Sequence, residues 1–579
     1  MSDPLLDDLD AEQRAAVTSD AMPLAIIAPA GSGKTRVLTR RIAYRAREGA
    51  VVPRHVLAVT FTRRAAGELV ERIGALGVDG VVTAGTFHAI ALAQLRERAE
   101  QRGREVPQIL DRKARLIGPL SGDKGGVADL VTEIEWAQAR MIAPDRYALA
   151  VRATGRKVSV PVSRVVDVYQ AYRNEKRSKH LLDFDDVLWQ CARTVETDEE
   201  FAAAQRWRFR HLFVDEFQDA TPLQVRLLGA WLGENRDLTV VGDPAQSIYG
   251  FSGADASPLL QFDLAYDGGT TIALERNYRS APAIVRAAES ALASLDTGPR
   301  AEPRAVRLDP RPPSVAVYES AIAEAEAVAR QCAEAHREGL PWARMAVLFR
   351  TNAQAMVFET AFGTRGIPFR LGEDPAPAPD AASRAVLARL YELERLAPSH
   401  SLADHLAELS ADHGSFASND LREARDRVLA RGRDFLAFDA GTTAGGSRAR
   451  SFAQWLEAPT SAPRIPAVSL LTFHRAKGLE WSTVFVTGLE KGLVPISWAT
   501  SPDAQAEEQR LLHVALSRAE NGLHCSWART RIVRERAVAR EPSPWLPAVA
   551  AIAAEPAPEP RSAADHLIDL RAALAASTP

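Results

Sequence analysis

The run Ala28-Pro29-Ala30-Gly31-Ser32-Gly33-Lys34-Thr35 decides how the rest of the chain is read. An apolar segment, Pro23-Leu24-Ala25-Ile26-Ile27, leads into it, and a basic amphipathic segment beginning Arg36-Val37-Leu38 leaves it. Strand, small-residue loop and helix, in that order, form the setting of a phosphate-binding loop. Gly31 and Gly33 let backbone N–H groups turn inward with no Cβ in the way. The following helix aims the positive end of its dipole at the same point. Lys34 has the reach for β- and γ-phosphates, and the Thr35 hydroxyl suits Mg²⁺. The strict pattern opens with Gly, and here that place is Ala28. The bland alternative is an ordinary Gly/Ser turn before a helix; the Gly-Ser-Gly-Lys-Thr order weighs against it.

Working outward, Asp10 stands where it can cap a short helix, Ala11 to Val17, whose Ala and Val face inward and which carries Gln13 towards the nucleotide. Val56–Thr62 and Val81–His88 each read as a buried strand running into a helix, which implies a parallel sheet with sites at the carboxyl ends of its strands. Phe61 lies between Thr60 and Thr62, and Phe87 between Thr86 and His88. Both phenylalanines fit a core, and both fit stacking against a single strand. From about Gln94 to Arg206 the chain reads as helical, with Arg173–Lys179 mostly a solvated face and Leu182–Leu188 an acidic helix start.

His211-Leu212-Phe213-Val214-Asp215-Glu216-Phe217-Gln218-Asp219 is an apolar strand ending in adjacent carboxylates. Opposite a phosphate loop, Asp215 suits Mg²⁺, mostly through water, and Glu216 suits orienting and deprotonating the attacking water. In the loop after Leu238–Gly242, Gln246 is placed to sense a γ-phosphate, with Tyr249 and Phe251 free to stack on bases. Tyr278 and Arg279 offer an aromatic for adenine and a cation for phosphate.

The bulk numbers bound these readings. At 579 residues the chain holds roughly three or four domains. A net charge of −3 exerts no global pull on nucleic acid or acidic membranes, so any DNA surface comes from local clustering. Cys191, Cys332 and Cys525 lie far apart, which argues against a zinc site or disulfide framework. The acidic start lacks a signal segment, and no apolar run nears the roughly 20 residues that cross a bilayer. A cytoplasmic, nucleoid-associated protein with no membrane partner is expected.

Gln13, Ala28–Thr35, Thr60–Thr62, Thr86–His88, Val214–Asp219, Gly242–Tyr249 and Asn277–Ser280, followed by Leu470–Trp481 and Glu507–Ala519, form an ordered series. It resembles the UvrD/Rep/PcrA helicases of superfamily 1 from about residue 9 to 530, and in length and in Leu182–Leu188 the short actinobacterial-type members. The resemblance implies an α/β fold of two RecA-like P-loop motor domains, parallel sheets flanked by helices, each with a mainly helical insertion. The expected divisions are a first motor domain over 1–93 and 207–285 with an insertion over 94–206. A second motor domain follows over 286–370 and 466–550 with a reduced insertion over 371–465, then a linker and tail over 551–579. It further implies ATP and Mg²⁺ as cofactors, 3′-to-5′ movement on single-stranded DNA and its junctions with duplex, and a DNA-repair partner. Ala30, Gly31, Ser32, Gly33, Lys34 and Thr35 would hold phosphate, Thr35 and Asp215 the metal, and Glu216 the water. Gln13, Tyr278 and Arg36 would meet adenine, Glu480 the ribose, and Arg279 and Arg518 the γ-phosphate. Gln246 would couple nucleotide to DNA, and Phe61, Thr86, His88, Tyr249, Phe251, Thr472 and His474 would line the DNA track.

Three departures bear on activity. Leu371–Asp380 reads as a stiff Pro-rich linker and Gly441–Ser447 as a flexible one, so the second insertion is small. Phe251-Ser252-Gly253 replaces a common Trp-Arg-Gly, and His513 stands where Tyr or Phe is usual. The tail from Glu555 ends in an amphipathic stretch, Ala564–Arg571, that reads as a loosely attached helix. A helicase, a translocase that unwinds poorly alone and a non-motor scaffold are the competing readings. Intact Lys34, Asp215, Glu216, Arg279 and Arg518 oppose the last.

Overall fold

The central strands of the first sheet are short, apolar and covered on both faces. In the computed structural model the first sheet comprises β1 (Leu24–Ile27), β2 (Val56–Thr60), β3 (Thr83–Thr86), β4 (His211–Val214), β5 (Leu238–Gly242) and β6 (Thr270–Ala273). They lie in the order β3-β2-β4-β5-β1-β6, all pairs parallel. Side chains alternate between two apolar layers: Leu24, Ile26, Val56 and Ala58 enter one, and Ala25, Ile27, Leu57 and Val59 the other. Two-sided burial is why these strands read as unbroken apolar runs. Helix Lys34–Arg47 covers the first layer through Val37, Leu38 and Ile42, and helices Phe184–Thr197 and Pro222–Leu232 cover the second.

The structure describes residues 3–554 apart from 79, 105–107, 123–125, 296–300, 310, 372–380, 398–400, 413–420, 423, 427, 430, 431, 433–465, 534 and 535. Most of the Leu371–Asp380 linker, the Gly441–Ser447 segment and the tail stretch Ala564–Arg571 lie outside the described residues. Contacts divide the chain into a larger unit, 1–367 with 470–579, and a smaller one, 368–469. The larger unit also holds β7 (Ser314–Tyr318), β8 (Met345–Phe349), β10 (Trp481–Val486) and β11 (Ala519–Ala528), parallel in the order β7-β11-β10-β8, and β9 (Val468–Thr472), whose first two residues are counted with the smaller unit, follows β8 in the sheet order. The described part of the smaller unit packs helices Ala381–Leu396 and Leu402–Ala411 around Val386, Leu390, Leu402, Leu406 and Leu409. The expected divisions at 93/94, 206/207, 285/286 and 550/551 each fall inside a helix. Among the described residues no helix is long and apolar enough to cross a membrane.

Helices Ala114–Ser121, Val127–Ala139, Pro144–Thr154 and Val162–Ser178 enclose their own core around Ile134, Tyr147, Tyr169 and Tyr172. Here one expectation needs correcting. Lys176, read as part of a solvated face, is buried and donates to Asp183 at 2.6 Å and also to Asp186. It continues the inward stripe Val165, Tyr169, Tyr172, four residues beyond the last. Asp183 is buried, caps helix Phe184–Thr197 through the Asp186 N–H, and accepts from Tyr172 Oη at 2.8 Å and Gln138 Nε2 at 3.0 Å. Burial alone would raise its pKa, but Lys113 and Lys176 hold it well below the usual carboxylate range. Asp183→Ala leaves the buried Lys176 with Asp186 alone, unpairs the Tyr172 hydroxyl and Gln138, and removes the cap, so urea unfolding is expected to show a loss of about 2–4 kcal/mol. An unchanged midpoint would show that Asp183 does not hold this core together.

Candidate active site

Asp10 caps helix Ala11–Thr18 in a reciprocal box with Gln13. Gln13 is thereby buried, and its Nε2 donates to the Ser32 carbonyl at 2.9 Å. The loop after β1 turns through Gly31 at φ +77° and Gly33 at φ +88°, conformations that a side chain rarely adopts. Gly31 is also crowded: a Cβ there would lie 2.7 Å from Asn277 Oδ1. Asn277 braces the loop by donating from Nδ2 to the Ala30 carbonyl at 2.8 Å, and the Tyr278 N–H donates to the Gly31 carbonyl at 2.9 Å. Lys34 donates to the Ala28 carbonyl at 2.8 Å, and burial pulls its pKa down against the nearby Glu216 and Asp243 carboxylates.

Across the loop, β4 is followed by Asp215, whose N–H donates to the Val59 carbonyl of β2 at 2.9 Å. Burial and then the adjacent Glu216 charge push Asp215 up to about 7. Burial also acts to raise Glu216, but Lys34 and Lys477 outweigh it and hold its pKa below the ordinary value. Glu216 sits at φ +52° and accepts from Gln218 Nε2 at 2.5 Å, which aims its carboxylate. Two buried neighbouring carboxylates call for a further cation. Asp215 with the Thr35 hydroxyl therefore fits Mg²⁺, whose remaining positions water and phosphate commonly fill. Among the described residues no cluster of three or more His, Cys, Asp or Glu competes as a metal site.

The second motor domain supplies the opposite wall. Arg518 is buried; Nε donates to the Val514 carbonyl at 3.0 Å and a terminal nitrogen reaches Gln246 Oε1 at 3.3 Å. Gln246 in turn donates to Asp243 at 2.6 Å. Burial, then Arg279, pulls Arg518 down to about 9. Arg279 pairs with Glu480 at 2.6 Å, while its Nε is buried with no hydrogen-bond partner. The two residues expected at γ-phosphate and ribose thus face each other across the cleft. Tyr278 donates its hydroxyl to Asp10, and Arg36 donates to the Asp8 carbonyl at 2.9 Å.

Tyr249, Phe251 and His474 form one aromatic cluster with ring centroids 5.6–6.5 Å apart. Phe251 is 45% exposed, and burial and then Arg350 push His474 down to about 4, so it is neutral at pH 7. Of the two early phenylalanines, Phe87 is core and Phe61 is half-buried against it at 5.9 Å. Thr86 caps helix Phe87–Gln101, His88 meets Phe184 edge-on at 5.8 Å, and Thr472 is buried at the end of β9. Arg156, which a sequence reading passes over, donates to the Phe251 carbonyl at 3.0 Å and grips Glu133, bracing the Ser252 loop. Lys477 was also without a role in the sequence; it pairs with Asp219, 258 residues away, a separation that no local pattern encodes.

A family description of the UvrD/REP helicase N-terminal domain matches residues 9–267, and that of the UvrD-like helicase C-terminal domain matches 272–427 and 456–530. With two RecA-like motor domains and a nucleotide cleft on the page, the chain belongs to the UvrD/REP helicase family. Its relatives include the ATP-dependent DNA helicase UvrD2 of Mycobacterium tuberculosis and of Mycobacterium bovis, each 36% identical over 582 residues, covering 95% of this chain and 82% of the relative. The ATP-dependent DNA helicase PcrA of Staphylococcus aureus is 29% identical over 640 residues, covering 94% of this chain and 86% of the relative.

Gly31→Ala places a methyl group against Asn277 at a positive φ that costs an L-residue about 1–2 kcal/mol. Fluorescent ATP-analogue titration is expected to show affinity reduced about tenfold or more. Wild-type affinity would show that the loop accommodates the methyl and is not held as described.

Proposed function

We propose that this protein is an ATP-dependent DNA helicase that moves 3′-to-5′ along single-stranded DNA and separates strands at duplex junctions, in repair or replication restart. The observation that carries the reading is Arg518. It comes from the second motor domain, yet it lies buried against Gln246 of the first. Turnover then depends on the relation of the two domains, which is what a stroke requires. An arginine supplied this way is worth about 10³–10⁵ in rate in related phosphoryl transfers.

Lys34 and the loop N–H groups bind the phosphates, and Glu216, aimed by Gln218, takes the proton of the attacking water. Mg²⁺, held by Thr35 and Asp215, would neutralise phosphate charge. Gln13 and Tyr278 receive adenine, with Arg36 and Glu480 at its margin and ribose. Tyr249, Phe251, His474 and Phe61 offer stacking worth about 1–3 kcal/mol per base regardless of sequence, with Thr86, His88 and Thr472 along the same track. Such stepping suits a substrate of any sequence. The reduced segment between the two parts of the second motor domain supports the alternative, a translocase that displaces proteins and unwinds poorly without a repair partner.

Strand displacement distinguishes them. A 3′-tailed duplex is expected to separate with ATP, a 5′-tailed one is not, and Glu216→Gln abolishes the reaction. Robust single-strand-stimulated hydrolysis with no separation would leave the translocase. Displacement from the 5′ tail would overturn the polarity. For Arg518→Ala, ATP affinity is expected to persist while kcat falls about 10³-fold or more. Lost binding with retained kcat would remove Arg518 from the transition state.

A further inference from the structure

Arg307 has no part in the chemistry above, yet its guanidinium meets the main chain beside both cleft arginines. Arg304 and Ala305 run parallel to Arg276 and Asn277, and the Val306 N–H donates to the Asn277 carbonyl at 2.9 Å. That pairing brings Arg307 level with Arg279. One terminal nitrogen of Arg307 donates to the Arg279 carbonyl at 2.6 Å and to the Glu520 carbonyl at 3.3 Å. The other donates to Asn521 Oδ1, and Asn521 Nδ2 carries the link to Ser482 Oγ at 2.8 Å, two residues beyond Glu480. A guanidinium presents its donors in a rigid planar fork, so acceptors on two separate segments are held in one fixed relation.

Those two segments carry Arg279 and Arg518. Glu520 stands two residues after Arg518, whose own carbonyl accepts from the Trp481 N–H at 3.1 Å. On its other side the Arg279 N–H donates to Asn277 Oδ1 at 3.0 Å, and Asn277 is itself tied to the phosphate loop. The Arg279 side chain is less constrained: it pairs with Glu480 at 2.6 Å, and its buried Nε has no partner among the described residues. Where this guanidinium points therefore depends on how its main chain is held. A brace that only stabilises the fold is the simpler reading. Neighbouring bonds already join the segments, however: Ser280 Oγ donates to the Ala519 carbonyl at 2.7 Å, and the Ala281 N–H to the Glu520 carbonyl at 2.9 Å. What Arg307 adds is a hold on the Arg279 carbonyl itself, and an error of about 1 Å in placing a reacting group can cost about 100-fold in rate.

We propose that Arg307 is a positioning residue that sets the spacing of Arg279 and Arg518 around the transferring phosphate of ATP. The inference rests on the reading of those two arginines as γ-phosphate ligands. Its test is ATP turnover by the full chain with oligo(dT) present. In Arg307→Gln, kcat is expected to fall about tenfold, while affinity for a fluorescent non-hydrolysable ATP analogue stays within about twofold. Affinity for ADP with aluminium fluoride, a mimic of the transferring phosphoryl group, is expected to fall about tenfold with kcat. A purely structural brace would not confine its loss to the mimic. In an Arg518→Ala background no spacing is left to set, so Arg307→Gln is expected to change kcat by less than about twofold there. Equal loss in both backgrounds, or equal loss of analogue and mimic, overturns the positioning role. Arg307→Lys serves if Arg307→Gln does not fold, since it keeps the charge without the fork. Its kcat is expected to fall with analogue affinity retained, and an undiminished kcat overturns the role. Wild-type kcat in both Arg279→Ala and Arg518→Ala overturns the γ-phosphate reading itself.

Discussion

Two carboxylates buried side by side repel each other strongly, because little solvent screens them. Asp215 and Glu216 stand in that relation at the end of β4, and the rest of the cleft is arranged around the conflict. Lys34 approaches from the loop after β1, and Arg279 and Arg518 from two further segments, close enough for both arginines to act on Lys34. Burial depresses both Lys34 and Arg518. A site with both signs of charge held dry has its polar groups fixed before phosphate arrives, which is the condition for electrostatic stabilisation of a transferring phosphoryl group.

The scaffold makes that arrangement affordable. Parallel strands covered on both faces place every strand's carboxyl end along one rim, so β1, β2, β4 and β5 deliver their following loops to one line. The Asp215 backbone is tied to β2, and the phosphate loop is tied to Asn277 and Tyr278 beyond β6. Gln13 adds a link from the first helix to Ser32. The nucleotide site is therefore cross-braced by segments more than 200 residues apart.

The departures from the wider family are accommodated locally. Ser252 leaves its loop without the usual arginine, and Arg156 from the helical insertion bonds the neighbouring Phe251 carbonyl while resting on the Trp136 ring. His513 is buried where an aromatic is usual and engages the Ala288 carbonyl at 3.0 Å through Nδ1. A polar ring in that place needs such a partner to be tolerated.

The phosphate loop, the acidic strand end and the capped first helix were legible in the sequence, because each depends on residues within a few positions. Gly31 and Gly33 are needed for a local turn, Asp10 and Gln13 for a local cap, and the paired acids for the end of one strand. The parallel sheet followed from the alternation of these local units, and the two-motor architecture from the family resemblance that their order carries. What only the tertiary structure decided are pairings between distant segments. The burial of Lys176 depended on which helical face met the Tyr172 side of its core, and the Arg279–Glu480 pair on how two motor domains oppose each other. Lys477 is the clearest instance. Its charge reads as ordinary in a line of residues, and it acquires meaning only where folding brings Asp219, Gln246 and Tyr249 within reach of one nitrogen, since Coulomb attraction and hydrogen bonds act over distance in space and not along the chain.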